Sequence, residues 1–312
     1  MPELEFSRTP TIDKLNRVWV ETFPVKPRGY LGASSIGEEC KRKLWYRFRW
    51  AKNPLFDING IRNIEDGNLQ EDVMAERLSK IGVIVEDSQK QVSFLNGFFL
   101  GHIDGTVLGI LEAPKTRHVW EHKSTKEKKF NELKILADMN EKEALKSWNY
   151  VYWAQAQIYM HGLKLKRHYM TVSTPGGRDY TSVRTNYSPK YAKAFIDKAR
   201  DIISSPEPPA RTKTYKCSWC EFDEICNKES TEAKFNCRTC VHSTPSLEYG
   251  KWSCERDGSV LTIPMQEEGC SEHFYIPSIF NVEQTDSVHE KNELVQINYQ
   301  NGAVNKKGKG MS

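Results

Sequence analysis

Glu71, Asp104, Glu121 and Lys123 are the side chains whose types and spacing could act together. Glu121 and Lys123 stand two apart in RHVWEHKST, and alternation along a strand turns both to one face and His122 to the other. Such a pair is commonplace on a solvated strand, but with further carboxylates at Glu71 and Asp104 it fits metal-assisted phosphodiester hydrolysis. Mg²⁺ or Mn²⁺ takes hard carboxylate oxygens, keeps several waters and completes its shell with substrate phosphate. The ion lowers the pKa of its water, and a nearby ammonium helps to neutralise charge on the phosphorus-bound oxygens. Glu71, Asp104 and Glu121, with His122 beside them, are the candidate metal ligands, and Lys123 is the candidate ammonium.

Several elements must gather these residues. The spacing of Leu69, Val73, Leu78 and Ile81 predicts a helix over 64–81 that carries Glu71 and ends at Gly82. The β-rich run from 83 to 113, with turn residues at Asn96-Gly97 and Gly101, predicts an antiparallel meander with Asp104 in a strand. A further strand from Arg117 carries Glu121. From 142 to 162 the pattern is helical, with Trp148, Tyr152, Gln155 and Tyr159 on one face. HYMTVST and DYTSVRT read as strands joined by a Pro-Gly-Gly turn, followed by a helix from Pro189 to about Ile203 and the linker SSPEPPARTK. Upstream, Ser35 and Glu38 have capping-box spacing ahead of a helix whose first turns would hold Cys40.

The 312 residues suit a main domain with a small appendage, and 13 Phe, 13 Tyr and 8 Trp argue against wholesale disorder. A net charge of +4 does not by itself announce a nucleic-acid partner, so any basic surface must come from local clustering. The longest apolar run, around Val107 to Leu111, falls far short of the roughly 20 residues of a membrane span, and MPELEF has no signal-peptide pattern. A cytoplasmic protein of a bacterial or phage-infected cell is expected, its eight cysteines serving as metal ligands and not as disulfides.

The order Gly67-x3-Glu71, Gly-His-Ile-Asp104-Gly, Trp-Glu121-His-Lys123 and Gln155-x3-Tyr159 resembles the PD-(D/E)XK nucleases of the RecB-like branch, over residues 31 to 226. The resemblance implies an α/β fold with a mixed central sheet flanked by helices. It also implies metal ligation by Asp104 and Glu121, a water-positioning Lys123, and a DNA path lined by Gln155 and Tyr159. Many members of that branch have His where this chain has Glu71; the lambda-exonuclease type has Glu there, and AQAQIYM is also similar to its helix. Gln157 competes with Gln155 for the helix role, and Gln155 is preferred because Tyr159 shares its face.

Cys217-x2-Cys220-x5-Cys226 with a distant Cys40 is similar to the iron–sulfur signature of RecB-like nucleases of the AddAB and CRISPR-adaptation types, which implies a [4Fe–4S] cluster clasping the chain across 176 intervening residues. A rival partition pairs Cys217-x2-Cys220 with Cys237-x2-Cys240, 16 residues on, as a zinc ribbon. The ribbon leaves Cys40, Cys226, Cys254 and Cys270 unexplained, so the cluster is preferred. Cys237, Cys240, Cys254 and Cys270 then form a candidate structural Zn²⁺ site, with His242 and His273 as alternative ligands. A segment of about 50 residues with few aliphatic side chains needs such a staple.

Around Cys40, Lys41, Arg42, Lys43, Arg47 and Arg49 interleave with Trp45, Tyr46, Phe48 and Trp50, either as a nucleic-acid groove or as an amphipathic helix whose rings enter the core. Lys126, Lys128 and Lys129 are placed for phosphate contact or for solvent. The expected organisation is an N-terminal segment (1–30), a nuclease domain with an iron–sulfur clasp (31–230), a zinc-binding domain (231–280) and a polar tail (281–312). The expected function is Mg²⁺- or Mn²⁺-dependent exonucleolytic cleavage of DNA, on single strands or frayed ends, in recombination, repair or replication-linked processing, with protein partners from those processes. The alternatives are a catalytically inactive DNA-binding scaffold and a zinc-dependent nucleic-acid-binding regulator.

Overall fold

The computed structural model of the chain describes residues 8–290, 293–308 and 310–311. Helix α1 (Pro10–Thr22) leads to a short strand β1 (Leu31–Gly32), helix α2 (Lys41–Phe48) and helix α3 (Ile58–Lys80). Strands β2 (Ile84–Glu86), β3 (Gln91–Phe94), β4 (Phe99–His102), β5 (Gly105–Leu108) and β6 (His118–Ser124) follow. Helices α4 (Glu127–Trp148) and α5 (Tyr150–Leu163) return the chain to β7 (Arg167–Ser173), β8 (Tyr180–Asn186) and helix α6 (Pro189–Ser204). The C-terminal part holds α7 (Asp223–Asn227), β9 (Ser243–Ser246), β10 (Lys251–Cys254), β11 (Val260–Leu261) and α8 (Ile263–Glu268). Strands β12 (Gln284–Glu290), β13 (Glu293–Tyr299), β14 (Val304–Lys306) and β15 (Gly310–Met311) close the chain.

The central sheet has the order β2-β5-β6-β7-β8. Its β6–β7 pair is parallel, with Glu121 opposite Met170, and the other pairs are antiparallel. A parallel neighbour requires a crossover, which α4 and α5 supply. The expected single meander is divided: β3 and β4 leave the central sheet and pair instead with β1, where Leu31 lies parallel to Phe99. That long-range pairing outweighs sequence adjacency, and it leaves Asp104 in the link between β4 and β5 and not within a strand.

Other expectations shift for local reasons. Cys40 is the N-cap of α2, its sulfur accepting from the Lys43 amide, while Ser35 lies in a 3₁₀ turn and donates to Gly32 O. Helix α3 begins earlier than expected, where Asp57 caps the Gly60 amide, and it buries Gln70, Met74 and Leu78 while Leu69 is exposed. The helix expected from 142 is interrupted at Asn149, whose carbonyl oxygen caps the Val151 and Tyr152 amides and starts α5. Residues 284–311, read as a polar tail, contribute a four-stranded antiparallel sheet, because Ile297 and Tyr299 on β13 bury an apolar edge.

One hydrophobic cluster joins α2, α5 and α6 to Trp252, Phe274, Ile279, Phe280, Ile297 and Tyr299 of the C-terminal part. A smaller one packs Met74 and Leu78 of α3 on Val107, Trp120 and Tyr169. The rings of Trp45, Tyr46, Phe48 and Trp50 are core, not surface. Buried guanidiniums fasten the two ends of the chain. Arg42 donates to Pro209 O and Ser278 O, and Arg49 to Arg238 O and Ser243 O. Arg238 donates to Phe48 O and Gly29 O and lies 3.8 Å from the Trp50 ring centroid.

Candidate active site

Strand β6 carries Glu121 and Lys123 toward α5. The Lys123 ammonium lies 2.8 Å from Glu121 Oε2 and 3.6 Å from Asp104 Oδ2. Asp104 Oδ2 also accepts from the His122 amide at 2.7 Å, which fixes the carboxylate against β6. From α5, Gln155 Nε2 reaches Glu121 Oε2 at 3.1 Å and the Tyr159 hydroxyl at 3.2 Å. Gly101 makes room for Tyr159: a Cβ there would lie 2.5 Å from its hydroxyl oxygen. Gln157 instead braces Asn186 O and the Ser188 amide.

Electrostatics set the character of the site. Burial, and next the Asp104 carboxylate, pushes the Glu121 carboxyl up to about 8. Burial opposes the Lys123 charge, but Glu121 and Asp104 outweigh it and hold the ammonium above its ordinary range. Glu71 on α3 is raised by burial and then by Asp104, so it belongs to the same field, while Gln89 donates to its Oε1 at 2.7 Å. The Glu121 Oε1 atom is buried and has no hydrogen-bond partner among the described residues.

A divalent cation suits that orphaned oxygen, and Asp104 and Glu121 are the residues that would hold it. As placed, no group of three or more His, Cys, Asp or Glu among the described residues is spaced to hold a metal ion. Gln89 donates to one oxygen of Glu71, and the other oxygen is the one Glu71 would offer. The imidazole of His122 does not join: it turns to Thr171 Oγ1 at 3.0 Å and Ser173 Oγ at 3.2 Å, and burial, then Lys123, pushes it down to about 4. Its inclusion as a ligand is corrected by strand alternation; only its main chain meets the site.

Two groups beside the site escaped sequence reasoning. Gln89 holds Glu71, and Asp66 ties Ser124 Oγ to the Gly176 amide. Neither has a motif; each acquires its position through a loop or helix contact that spacing does not encode. Lys129 pairs with Glu132 on α4.

The cysteines form two neighbourhoods. Burial raises the Cys220 and Cys226 thiols and the neighbouring Cys40 adds to both, and the pairs Glu39–Lys216 and Arg47–Glu221 join their segments at 2.9 Å and 2.5 Å. Cys217 Sγ turns to Thr212 O and the Thr214 amide. Cys237, Cys240, Cys254 and Cys270 line a cavity of about 20 Å³ with His242 and His273. Burial, then the neighbouring Cys270, Cys240 and Cys254, pushes the Cys237 thiol up to about 12.

No family model matches the chain, and no curated protein matches it in sequence. Solved structures to which it is similar include the protein SSO0001, 15% identical, with a TM-score of 0.41 over 71% of this chain and 98% of that one. An alkaline exonuclease, LHK-Exo from Laribacter hongkongensis, is 12% identical with a TM-score of 0.39 over 60% of this chain and 90% of its own. A phage-related exonuclease from Haemophilus somnus 129PT is 13% identical with a TM-score of 0.39 over 55% of this chain and 92% of its own. No helix among the described residues is long and apolar enough to cross a membrane.

Proposed function

We propose that the chain is a divalent-metal-dependent deoxyribonuclease that degrades DNA from single-stranded or frayed ends, in recombination, repair or replication-linked processing. The observation that carries this reading is Glu121 Oε1, a buried carboxylate oxygen without a donor, beside Asp104 and Lys123. Leaving such an oxygen unpaired costs about 1–3 kcal/mol, a cost that an ion bound between Asp104 and Glu121 would remove. When bound, Mg²⁺ or Mn²⁺ supplies an acidified water and neutralises phosphate charge. Lys123, kept protonated by two carboxylates, orients an electron-rich oxygen of water or phosphate. Gln155 holds the Glu121 rotamer through Oε2 and leaves Oε1 free, and Tyr159 fixes Gln155 in turn.

The same reading gives Cys40, Cys217, Cys220 and Cys226 to a [4Fe–4S] cluster, supported by ion pairs that already join their segments. Cys237, Cys240, Cys254 and Cys270 go to Zn²⁺, supported by the cavity they share. A second reading, a DNA-binding scaffold without catalysis, draws on the Gln89 hydrogen bond that occupies Glu71.

The test is cleavage of end-labelled linear and circular single-stranded DNA with Mn²⁺. Wild type should degrade the linear strand far faster than the circle, and Asp104→Ala should lower the rate by at least about 100-fold, as expected when an ion-binding group is lost. Wild-type rates in Asp104→Ala would refute the catalytic assignment, and equal rates on circle and line would refute the exonuclease assignment.

A further inference from the structure

Six of the eight tryptophans are buried and Trp19 is half-buried, but Trp219 is 79% exposed and Tyr215 beside it is 76% exposed. Their rings meet edge to face, with centroids 6.4 Å apart, on the 3₁₀ turn Tyr215–Trp219. A folded chain gains by covering rings of this size, so an uncovered pair on an ordered turn calls for an occupant. The turn is tied to the N-terminal part at its surface. Thr214 caps the Lys216 amide, Lys216 Nζ pairs with Glu39, and Arg47 pairs with Glu221.

The charge around the rings selects the occupant. From Arg211 to Cys220 the chain carries Arg211, Lys213 and Lys216 and no carboxylate, with Glu221 next in line. Arg211 is turned to Cys226 O and Phe280 O and Lys216 is paired with Glu39, so Lys213 is the cation of this stretch without an ion pair among the described residues. Exposed rings set among cations are what a single strand needs: any base has a face to stack, and the phosphates follow the positive charge. A duplex keeps its bases stacked on one another and would have to unstack a step, at a cost of a few kcal/mol, to use the rings.

The platform also connects to the carboxylate site. Glu39, the partner of Lys216, lies two residues after Gly37, where a Cβ would stand 2.5 Å from Val151 Cα at the start of α5. One residue on, Tyr152 places its ring 5.9 Å from the Lys123 ammonium. Glu39 thus links the neighbourhood of the turn to the start of α5, where Val151 stands about one helical turn before Gln155.

We propose that Tyr215 and Trp219 form a stacking platform for the bases of single-stranded nucleic acid, with its phosphates beside Lys213 and Lys216, ahead of the carboxylate site. The inference deepens the nuclease reading and rests on it for the strand's destination, while the binding step is measurable without cleavage.

The experiment uses the full chain carrying Asp104→Ala, so that no cleavage intervenes, and follows anisotropy of three fluorescein-labelled probes: oligo(dT), an abasic strand of equal length, and a duplex. Adding Trp219→Ala should weaken oligo(dT) binding roughly 5- to 100-fold, the loss of one stacked base, and leave the abasic strand and duplex unchanged. Trp219→Phe should restore most of the affinity. Unchanged oligo(dT) affinity in Trp219→Ala would overturn the proposal, as would an equal loss on oligo(dT) and abasic strands, which would mark a disturbed turn or a surface for another kind of partner. Selective loss of oligo(dT) binding, in a protein whose wild type cuts no DNA, would uphold the platform and refute the nuclease reading alone.

Discussion

A carboxylate buried as deeply as Glu121 persists only with compensating charge, and Lys123 is shared between it and Asp104. Burial and Asp104 raise Glu121, so a second cation is the change that would relieve the site most. Mn²⁺ should therefore raise the thermal midpoint of wild type, by linkage, as its concentration passes the dissociation constant. Glu121→Gln should abolish most of that rise; an equal rise in both proteins would show that the ion binds elsewhere. The spacing of Glu121 and Lys123 was legible because strand alternation is a local rule. Gln155 and Tyr159 were legible because four residues make roughly one helical turn. Gln89 was not, since its contact with Glu71 exists only once β2 has packed on α3 and brought the link after it beside that helix.

At the scale of elements, the sequence's strands and helices were largely readable, and their partners were not. The boundaries of β6, β7, β8 and α6 follow from alternation and turn residues, whereas the parallel pairing of β1 with β4 depends on contacts 68 residues apart, as between Leu31 and Phe99. Strand β7 carries a prediction of its own. His168 is fully buried, neither ring nitrogen has a hydrogen-bond partner among the described residues, and burial pushes its imidazole down to about 3. In the unfolded chain it titrates near ~6.5. The unfolded state thus binds the proton first: stability is whole above about pH 6.5 and is lost as pH falls toward 3, at up to about 1.4 kcal/mol per pH unit from this residue. Urea midpoints measured from pH 7.5 to 4 should fall more steeply in wild type than in His168→Leu. Parallel slopes would refute the assignment.

For the whole molecule, the cysteine-rich end and the carboxylate-bearing part share one core, since Trp252, Phe280 and Tyr299 lie in the same cluster as Leu44 and Ile158. Composition cannot reveal this: polar residues from 281 onward read as a tail until β13 supplies Ile297 and Tyr299 to the interior. Truncation after residue 230 should leave a chain that does not fold cooperatively, measured by loss of a sigmoidal urea transition and of near-ultraviolet circular dichroism. A sharp transition in that fragment would show that the first 230 residues stand alone. The guanidiniums of α2 give the arrangement a temporal meaning. Arg42 and Arg49 find carbonyl partners at Ser278 and at Arg238 and Ser243, all made after the carboxylate-bearing strands. A ribosome must therefore reach Ser278 before α2 gains these partners, so a copy made only to β8 carries Asp104, Glu121 and Lys123 while Arg42 and Arg49 still lack them.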